Sequence, residues 1–314
     1  MMLPDVLRHP FALPVIAAPM FRISGPELVL AQCRAGIVGS FPALNARPPE
    51  LLDEWIGSLV EVRRADASVA PFAVNLIVHK SNPRVEHDLA LCVKHRVPIV
   101  ITSLGAQPEV NQAVHAYGGI VLHDVVSLRH AHKATEMGAD GLIAVAAGAG
   151  GHAGTLSPFA LVQEIREWWT GPLVLSGAIA TGRAVLAAQA MGADFAYVGS
   201  PFIATHESRA EDAYKAMVVA STAADIVYSN AFSGVHGNYL RGSIVAAGLD
   251  PANLPESEAA RMSFADGHSR PKAWRDIWGC GQGIGAVHGV ETVAALVARL
   301  KSEYDAARAA LRTP

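Results

Sequence analysis

The stretch EMGADGLIAVAAGAGGHAGT, residues 136–155, combines the end of a helix, a turn, an apolar run and a glycine-rich loop. Its first half returns in altered form as AMGADFAYVG, residues 190–199. An apolar run without alternation, such as GLIAV in the first copy, is typical of a parallel strand that is buried on both faces. The internal repeat therefore predicts repeated units of helix, turn and buried strand.

Runs of this kind recur along the first 200 residues, with segments of helical periodicity between them. The eight runs are PVIAAP (14–19), GIVGS (36–40), FAVNL (72–76), IVITS (99–103), GIVLHDV (119–125), GLIAVAAG (141–148), LVLSGAI (173–179) and FAYVGS (195–200). Several helical segments end at a Gly, a common C-cap residue. Eight strand–helix units predict an α/β fold, the (β/α)₈ TIM barrel. The alternative is a doubly wound sheet, which rarely has eight consecutive parallel strands so evenly spaced.

The pattern changes after Ser200. Residues 205–289 read as helices and polar loops, with no further strand of the Val/Ile type, and predict a helical substrate or lid domain over one end of the barrel. The last segment has apolar residues at helical spacing, so it predicts the final helix of the barrel. The predicted division is therefore a barrel over 1–204, a helical domain over 205–289 and a C-terminal barrel helix over 290–314.

Composition limits the class of partner. About half of the 314 residues are apolar (51%), which is enough for a large core. The chain has 25 basic and 28 acidic residues and contains no basic run. This balance argues against a nucleic acid or an anionic membrane and favours a small molecule. Cys33, Cys92 and Cys280 have no disulfide or zinc spacing, and no signal peptide or membrane span is visible. We expect a soluble, cytoplasmic protein without a metal site.

The loops after the seventh and eighth runs have the composition of a phosphate site. SGAIATG (176–182) and VGSPFIAT (198–205) are rich in small residues that let backbone N–H groups approach an anion. In TIM barrels these two loops commonly bind phosphate, and a helix beginning at Thr181 would direct its positive end at the anion. The alternative is that Gly177 and Gly199 only permit tight turns.

Other strand ends carry polar or polarisable side chains. Asn75 offers a donor and an acceptor to a planar heteroaromatic ring, and the Met20 thioether provides a surface on which such a ring can rest. Taken alone, Asn75 would be an ordinary turn residue and Met20 a core residue. Ser103 and the pair His123–Asp124 also follow strands. Together these residues predict one binding site at the mouth of the barrel.

His152 lies in the loop after the sixth run, among glycines and alanines that cannot crowd a ligand. An imidazole titrates near neutral pH, so it can serve as a base or as a hydrogen-bond donor. The alternative is a histidine whose ring is satisfied by backbone carbonyls in a glycine turn.

Several of these motifs together resemble those of the nitronate monooxygenase family, formerly called 2-nitropropane dioxygenases. The motifs are AAPM (17–20), VNL (74–76), GAGGHAG (148–154), SGAIATG (176–182), GADFAYVGSPFIAT (192–205) and WGCGQGIG (278–285). The family also contains FMN-dependent enoyl-acyl-carrier-protein reductases and NADH:quinone reductases. The resemblance implies an FMN-containing barrel with a helical substrate domain, in which His152 is the catalytic or substrate-contacting residue.

The resemblance also implies a set of cofactor-binding residues. The FMN phosphate is expected at Gly177, Ala178, Gly199 and Ser200, the ring near Ala18, Met20, Asn75 and Ser103, and the ring's edge near Gln282, with Gly151 and Ser176 completing the set. Many relatives have a glutamate where this chain has Ala149, so any property that depends on that carboxylate is in question. His79, Lys80, His236 and Tyr239 are left open between pocket-lining and ordinary loop positions.

The predicted function is FMN-dependent oxidation of an alkyl nitronate by O₂ to a carbonyl compound and nitrite. One alternative is an FMN-dependent NAD(P)H reductase of a quinone or an enoyl thioester; the lack of a GxGxxG motif discriminates poorly, because relatives bind the nicotinamide in the open pocket. Another alternative is a binding barrel without activity. Exposed Trp274 and Trp278 on the lid would suggest a homodimer contact, since aromatic residues are enriched at interfaces.

Overall fold

The computed structural model describes residues 3–256 and 273–311. Two sheets are formed, and their strands are numbered in chain order. The strands are β1 Val15–Ala17, β2 Gly39–Pro42, β3 Phe72–Ile77, β4 Ile99–Ser103, β5 Ile120–Val125, β6 Gly141–Val145, β7 Gly151–His152, β8 Leu173–Ser176, β9 Phe195–Val198, β10 Ile226–Ser229 and β11 Gly237–Leu240.

The larger sheet is a closed parallel barrel. Its order is β1-β9-β8-β6-β5-β4-β3-β2, every pairing in it is parallel, and the bridge between Ile16 and Val38 joins its two edges. The predicted TIM barrel is therefore confirmed. The run IVITS coincides with β4, whereas the second run was predicted over 36–40 and the strand begins only at Gly39.

Helices surround the barrel and lie above one end of it. They are α1 Pro26–Arg34, α2 Leu51–Ala65, α3 Val85–Lys94, α4 Pro108–His115, α5 Leu128–Glu136, α6 Pro158–Arg166, α7 Gly182–Met191, α8 Ser200–Ile203, α9 Asp212–Ala220, α10 Arg241–Ala246 and α11 Val293–Ala310. The C-terminal helix α11 packs against α1 and α7, next to the first and last barrel strands. None of the helices in the described part of the chain is long and apolar enough to cross a membrane.

The barrel interior changes from apolar to polar towards the C-terminal strand ends. Alternate residues of a strand face the same side, so the residue two beyond each interior Ile, Val, Leu, Ala or Phe also faces inward. Interior residues such as Ile101, Leu122 and Phe195 belong to one buried apolar cluster. The next inward positions are Ser103, Asp124 and Tyr197. A polar layer thus closes the top of the core, directly beneath the mouth.

The insertion after the barrel is not purely helical, and the prediction that no further strand of the Val/Ile type follows Ser200 is wrong, since β10 reads IVYS. Strands β10 and β11 form an antiparallel pair, and β11 also pairs with β7, which contains His152. The sequence signal was weak because β10 has only four residues and β11 reads GNYL, with only one aliphatic residue. Part of the predicted helical region, 257–272, lies outside the described residues.

Candidate active site

A cavity of about 1290 Å³ lies at the C-terminal ends of the barrel strands, beneath the insertion. Its lining brings together the sequence-predicted residues from every part of the chain. They are Ala18, Met20, Asn75, Ser103, Gly151, His152, Ser176, Gly177, Ala178, Gly199 and Ser200. Gln282 is the exception among the predicted residues: its side chain is exposed and packs beside Gly148, while its neighbours Gly281 and Gly283 line the cavity.

One end of the cavity is a cradle formed by the segments 176–178 and 199–200, after β8 and β9. Gly177 has φ +144°, and a Cβ there would lie 2.8 Å from the Ala147 carbonyl oxygen, so glycine is required. Ala178 has φ +53°, a conformation that tightens the turn. A Cβ on Gly199 would meet only ordinary contacts, the nearest being the Ala18 Cβ at 3.4 Å. Backbone with small side chains at this place fits a phosphate group.

The helix after β8 does not supply the predicted positive end to this cradle. The backbone N–H of Gly182 donates to the Glu303 carboxylate of α11 at 2.7 Å, and that of Ala184 donates to the Thr181 hydroxyl at 3.1 Å. The first turn of α7 is therefore occupied by protein groups and packs on α11. The expectation that a helix starting at Thr181 faces the anion is wrong for the N–H groups of Gly182 and Ala184, because Glu303 and Thr181 accept from them.

The segment around Cys280 fixes the loop that precedes His152. Gly281 N–H donates to the Ser200 hydroxyl at 2.9 Å, and Gln282 N–H donates to the Gly148 carbonyl at 2.9 Å. The Asn238 amide of β11 donates to the Ala149 carbonyl at 2.6 Å. Ala149 is only 4% exposed and packs with the interior apolar cluster.

His152 is held by a side chain from the insertion. Its Nε2 lies 3.0 Å from the Ser233 Oγ, and Ser233 donates to the Val235 carbonyl at 2.9 Å. Because the single Ser233 proton is used by that carbonyl, Ser233 accepts from Nε2–H and the Nδ1 of the neutral ring carries the lone pair. The ring meets Trp274 edge-on at 5.5 Å between centroids. The alternative prediction was that backbone carbonyls satisfy the His152 ring. In the structure Nε2 instead contacts the Ser233 hydroxyl.

The environment keeps the His152 imidazole neutral. Burial lowers the pKa of His152 from 6.5 to about 4, since a charged ring is poorly solvated there. At neutral pH the ring is thus a proton acceptor rather than a cation. Sequence reasoning found His152 but missed Ser233, which lies 81 residues away along the chain.

The polar layer beneath the mouth forms a chain of hydrogen bonds. The Asn75 amide donates to the Ser103 Oγ at 2.8 Å, and Ser103 donates to the Asp124 Oδ2 at 2.5 Å. Burial raises the pKa of Asp124 from 3.8 to about 6, although the Ser103 bond opposes that shift. The neighbouring His123 bonds to Thr102 at 2.6 Å, and burial, aided by the charges of α5, lowers the pKa of His123 to about 4.

The residues whose positions the sequence left open divide into two groups. His236 lines the cavity, whereas Tyr239 is fully buried and His79 and Lys80 lie outside the lining.

Trp274 and Trp278 are not exposed as expected, since both are partly buried within the chain. The homodimer contact itself stays a prediction. Trp274 contacts His152 and Tyr239, and Trp278 stacks on Tyr214 at 4.7 Å between ring centroids.

Comparison with known proteins places this geometry among flavin-dependent oxidoreductases. The nitronate monooxygenase of Paraburkholderia phytofirmans is 26% identical over 303 residues, covering 81% of this chain and 80% of the relative. The (3aS,4S,5R,7aS)-5-hydroxy-7a-methyl-1-oxo-octahydro-1H-indene-4-carboxyl-CoA dehydrogenase of Rhodococcus jostii is 26% identical over 232 residues, covering 74% of this chain and 64% of the relative, slightly less than two thirds of its length.

The solved structure of FabK from Thermotoga maritima superposes with a TM-score of 0.78 at 24% identity, covering 98% of this chain and 97% of FabK. This likeness independently supports the barrel with its insertion. The family model for nitronate monooxygenase matches residues 82–303. That match includes His152, Ser233 and the whole cradle, and the chain therefore belongs to the nitronate monooxygenase family.

Proposed function

We propose that the protein binds FMN and oxidises an alkyl nitronate with molecular oxygen, giving a carbonyl compound and nitrite. The observation that carries the proposal is the position of His152: a neutral imidazole, fixed by Ser233, lines the same cavity as the small-residue cradle.

The residues of the cavity fit FMN in size and in chemistry. The segments 176–178 and 199–200 would hold the phosphate, while Ala18, Met20, Asn75 and Ser103 would surround the ring. When bound, the flavin supplies the redox chemistry by accepting electrons and passing them to oxygen. The turn that exposes the cradle backbone requires a glycine at position 177, since a Cβ there would lie 2.8 Å from the Ala147 carbonyl oxygen.

His152 would act on the substrate rather than on the cofactor. With Nε2–H donated to Ser233, the Nδ1 lone pair is available to accept the α-proton of a neutral nitroalkane, which forms the nitronate. For a nitronate supplied directly, no proton has to be removed, and the imidazole only positions the anion. The two substrates therefore separate the base role from the binding role.

The test is nitrite release in air by the FMN-loaded protein, with propyl-2-nitronate and with 2-nitropropane as substrates. We expect His152→Asn to lower kcat with 2-nitropropane by about a hundredfold or more, since general bases contribute that much. Turnover of propyl-2-nitronate is expected to fall far less. A wild-type holoenzyme that releases no nitrite from the nitronate would contradict the proposal.

A second candidate function is reduction of a thioester-linked substrate by NAD(P)H. The cavity exceeds the usual 300–1,000 Å³ of a single ligand site, so it has room for a large substrate beside a cofactor. Arg22, Arg47 and Lys133 line it, and none of the described carboxylates forms an ion pair with them. Such cations suit the phosphates of a CoA ester, the class named for the Rhodococcus relative.

Anaerobic mixing with NADH or NADPH distinguishes the two functions. Rapid loss of flavin absorbance, followed by its return when crotonyl-CoA or a quinone is added, would favour the reductase. Absorbance that is stable in NAD(P)H but lost on addition of the nitronate under argon supports nitronate oxidation.

A further inference from the structure

Two polar atoms in the floor of the cavity have no hydrogen-bond partner. The Oδ1 of Asp124 and the hydroxyl of Tyr197 are both buried and unpartnered, and both residues line the cavity. Buried polar atoms are almost always bonded, so each unpartnered one requires an explanation. The two groups also interact electrostatically, because the Asp124 charge is one cause of the raised pKa of the Tyr197 phenol.

The neighbours of Asp124 already use their hydrogen-bonding groups. Ser103 donates to the other carboxylate oxygen, Oδ2, and the Asn75 amide donates to Ser103 and to the Ile101 carbonyl. None of the described ion pairs involves Asp124. Asp124 thus lines the cavity with a carboxyl group that no cation of the described ion pairs neutralises.

We propose that Asp124 faces the ring of the bound flavin and that its negative charge makes the flavin harder to reduce. This inference rests on the proposed binding of FMN. The oxidised ring is neutral, whereas the reduced ring is an anion above neutral pH, so a nearby carboxylate destabilises the reduced form selectively. The Asn75–Ser103 chain acts through Asp124 by favouring its ionised form.

Coulomb's law sets the expected size of the effect. Two like charges roughly 12 Å apart in a medium of effective dielectric constant about 20 repel enough to change the equilibrium for adding negative charge to the ring about tenfold. For a two-electron couple, a tenfold change equals about 30 mV.

The effect should depend on pH in a defined direction. Burial raises the pKa of Asp124 to about 6, so the carboxyl is charged at pH 8 and largely neutral at pH 5. The titratable and charged groups around it are Tyr197 on β9, His123 on β5, His152 on β7, and His130 and Lys133 on α5. His123 and His152 are neutral in this range because burial lowers their pKa values to about 4. His130 and His236 also line the cavity, so the part of the change between pH 5 and 8 that belongs to Asp124 is the part that Asp124→Asn removes.

Sulfite provides a direct probe, because its binding to an oxidised flavin places negative charge on the ring and bleaches its absorbance. The FMN-loaded wild type, Asp124→Asn and the control Asp305→Asn are titrated with sulfite at several pH values. Asp305 is an exposed residue of α11 paired with Lys301, so its replacement removes the same charge far from the cavity.

We expect Asp124→Asn to bind sulfite about tenfold more tightly than the wild type at pH 8, with the difference shrinking towards pH 5. Asp305→Asn should match the wild type throughout. Equal sulfite affinity in wild type and Asp124→Asn at pH 8, with FMN bound in both, would overturn the inference while leaving FMN binding intact. Failure of the wild type to bind FMN overturns the proposed function and this inference together.

Ser103→Ala offers a second route if Asp124→Asn does not fold. Loss of the Ser103 donor raises the pKa of Asp124 further, because the hydrogen bond favours the charged form. The pH at which sulfite affinity changes should therefore move upward relative to the wild type. A midpoint that stays in place in a folded, FMN-loaded Ser103→Ala protein would contradict the role of Asp124.

Discussion

Ser233 shows how a single side chain can decide the chemistry of another. Its proton goes to the Val235 carbonyl at 2.9 Å, so its lone pairs face the His152 Nε2–H and the Tyr239 hydroxyl at 3.2 Å. The tautomer of His152 is thereby set, and the free lone pair lies on Nδ1. His152 itself could be predicted from the bare glycine loop around it. Ser233 could not, because nothing local in the segment FSGVHG marks a contact with a residue 81 positions earlier.

We predict that Ser233→Ala lowers kcat with 2-nitropropane by about tenfold to a hundredfold, since a misplaced base loses much of its effect. KM and FMN affinity should be nearly unchanged, and turnover of propyl-2-nitronate should fall less. Ser233→Thr keeps the hydroxyl and should restore most of the rate. Tyr239→Phe is the control, because Ser233 still accepts from His152 without the phenol. An equal loss with both substrates would show that Ser233 is only structural.

At the level of secondary-structure elements, the site lies between the parallel strands of the barrel and the small sheet of β10, β11 and β7. Most barrel strands were predictable because they are apolar on both faces and are followed by small or polar residues at the mouth. The exception is β2, which reads GSFP and lies beyond most of the run predicted over 36–40. The sheet of β10, β11 and β7 was not predictable, because β7 is only two residues long and forms only through pairing with residues 237 and 238. Gly237 is opposite His152 in that register. Its lack of a side chain allows the two backbones to approach.

We predict that Gly237→Ala separates β11 from β7. The added Cβ would lie 2.8 Å from the Gly151 carbonyl oxygen and 3.1 Å from its carbon, both backbone atoms that cannot move independently. We expect a loss of about 1–3 kcal/mol of unfolding free energy, together with a lower kcat for 2-nitropropane. Thermal unfolding and nitrite assays check this. In the control Gly285→Ala, the nearest atom to the new Cβ is the Thr222 Cα at 4.0 Å, so stability should hold. Equal behaviour of the two variants would contradict the prediction.

For the whole molecule, the top of the barrel concentrates buried titratable groups that act on stability in opposite directions. Burial lowers the pKa values of His123 and His152 from 6.5 to about 4, so above pH 4 the unfolded chain binds more protons at these sites than the folded protein. Burial raises the pKa of Asp124 from 3.8 to about 6, so at this carboxyl the folded protein binds more protons than the unfolded chain. Two histidines against one carboxyl leave the unfolded chain with about one extra proton between roughly pH 4 and 6.5.

Stability should therefore fall as the pH is lowered from 6.5 to 4, by about 1.4 kcal/mol per pH unit and on the order of 3 kcal/mol in total. The carboxyls whose pKa values are lowered from 3.8 act below this window; they are Asp53, Asp66, Asp225 and Asp250. Urea unfolding at pH 6.5 and 4.5 measures the slope. His123→Gln should flatten it, because one histidine then balances the one carboxyl, whereas Asp124→Asn should steepen it. Equal stability of the wild type at both pH values would contradict the prediction. It would show that burial does not shift the pKa values of these three groups in the stated directions.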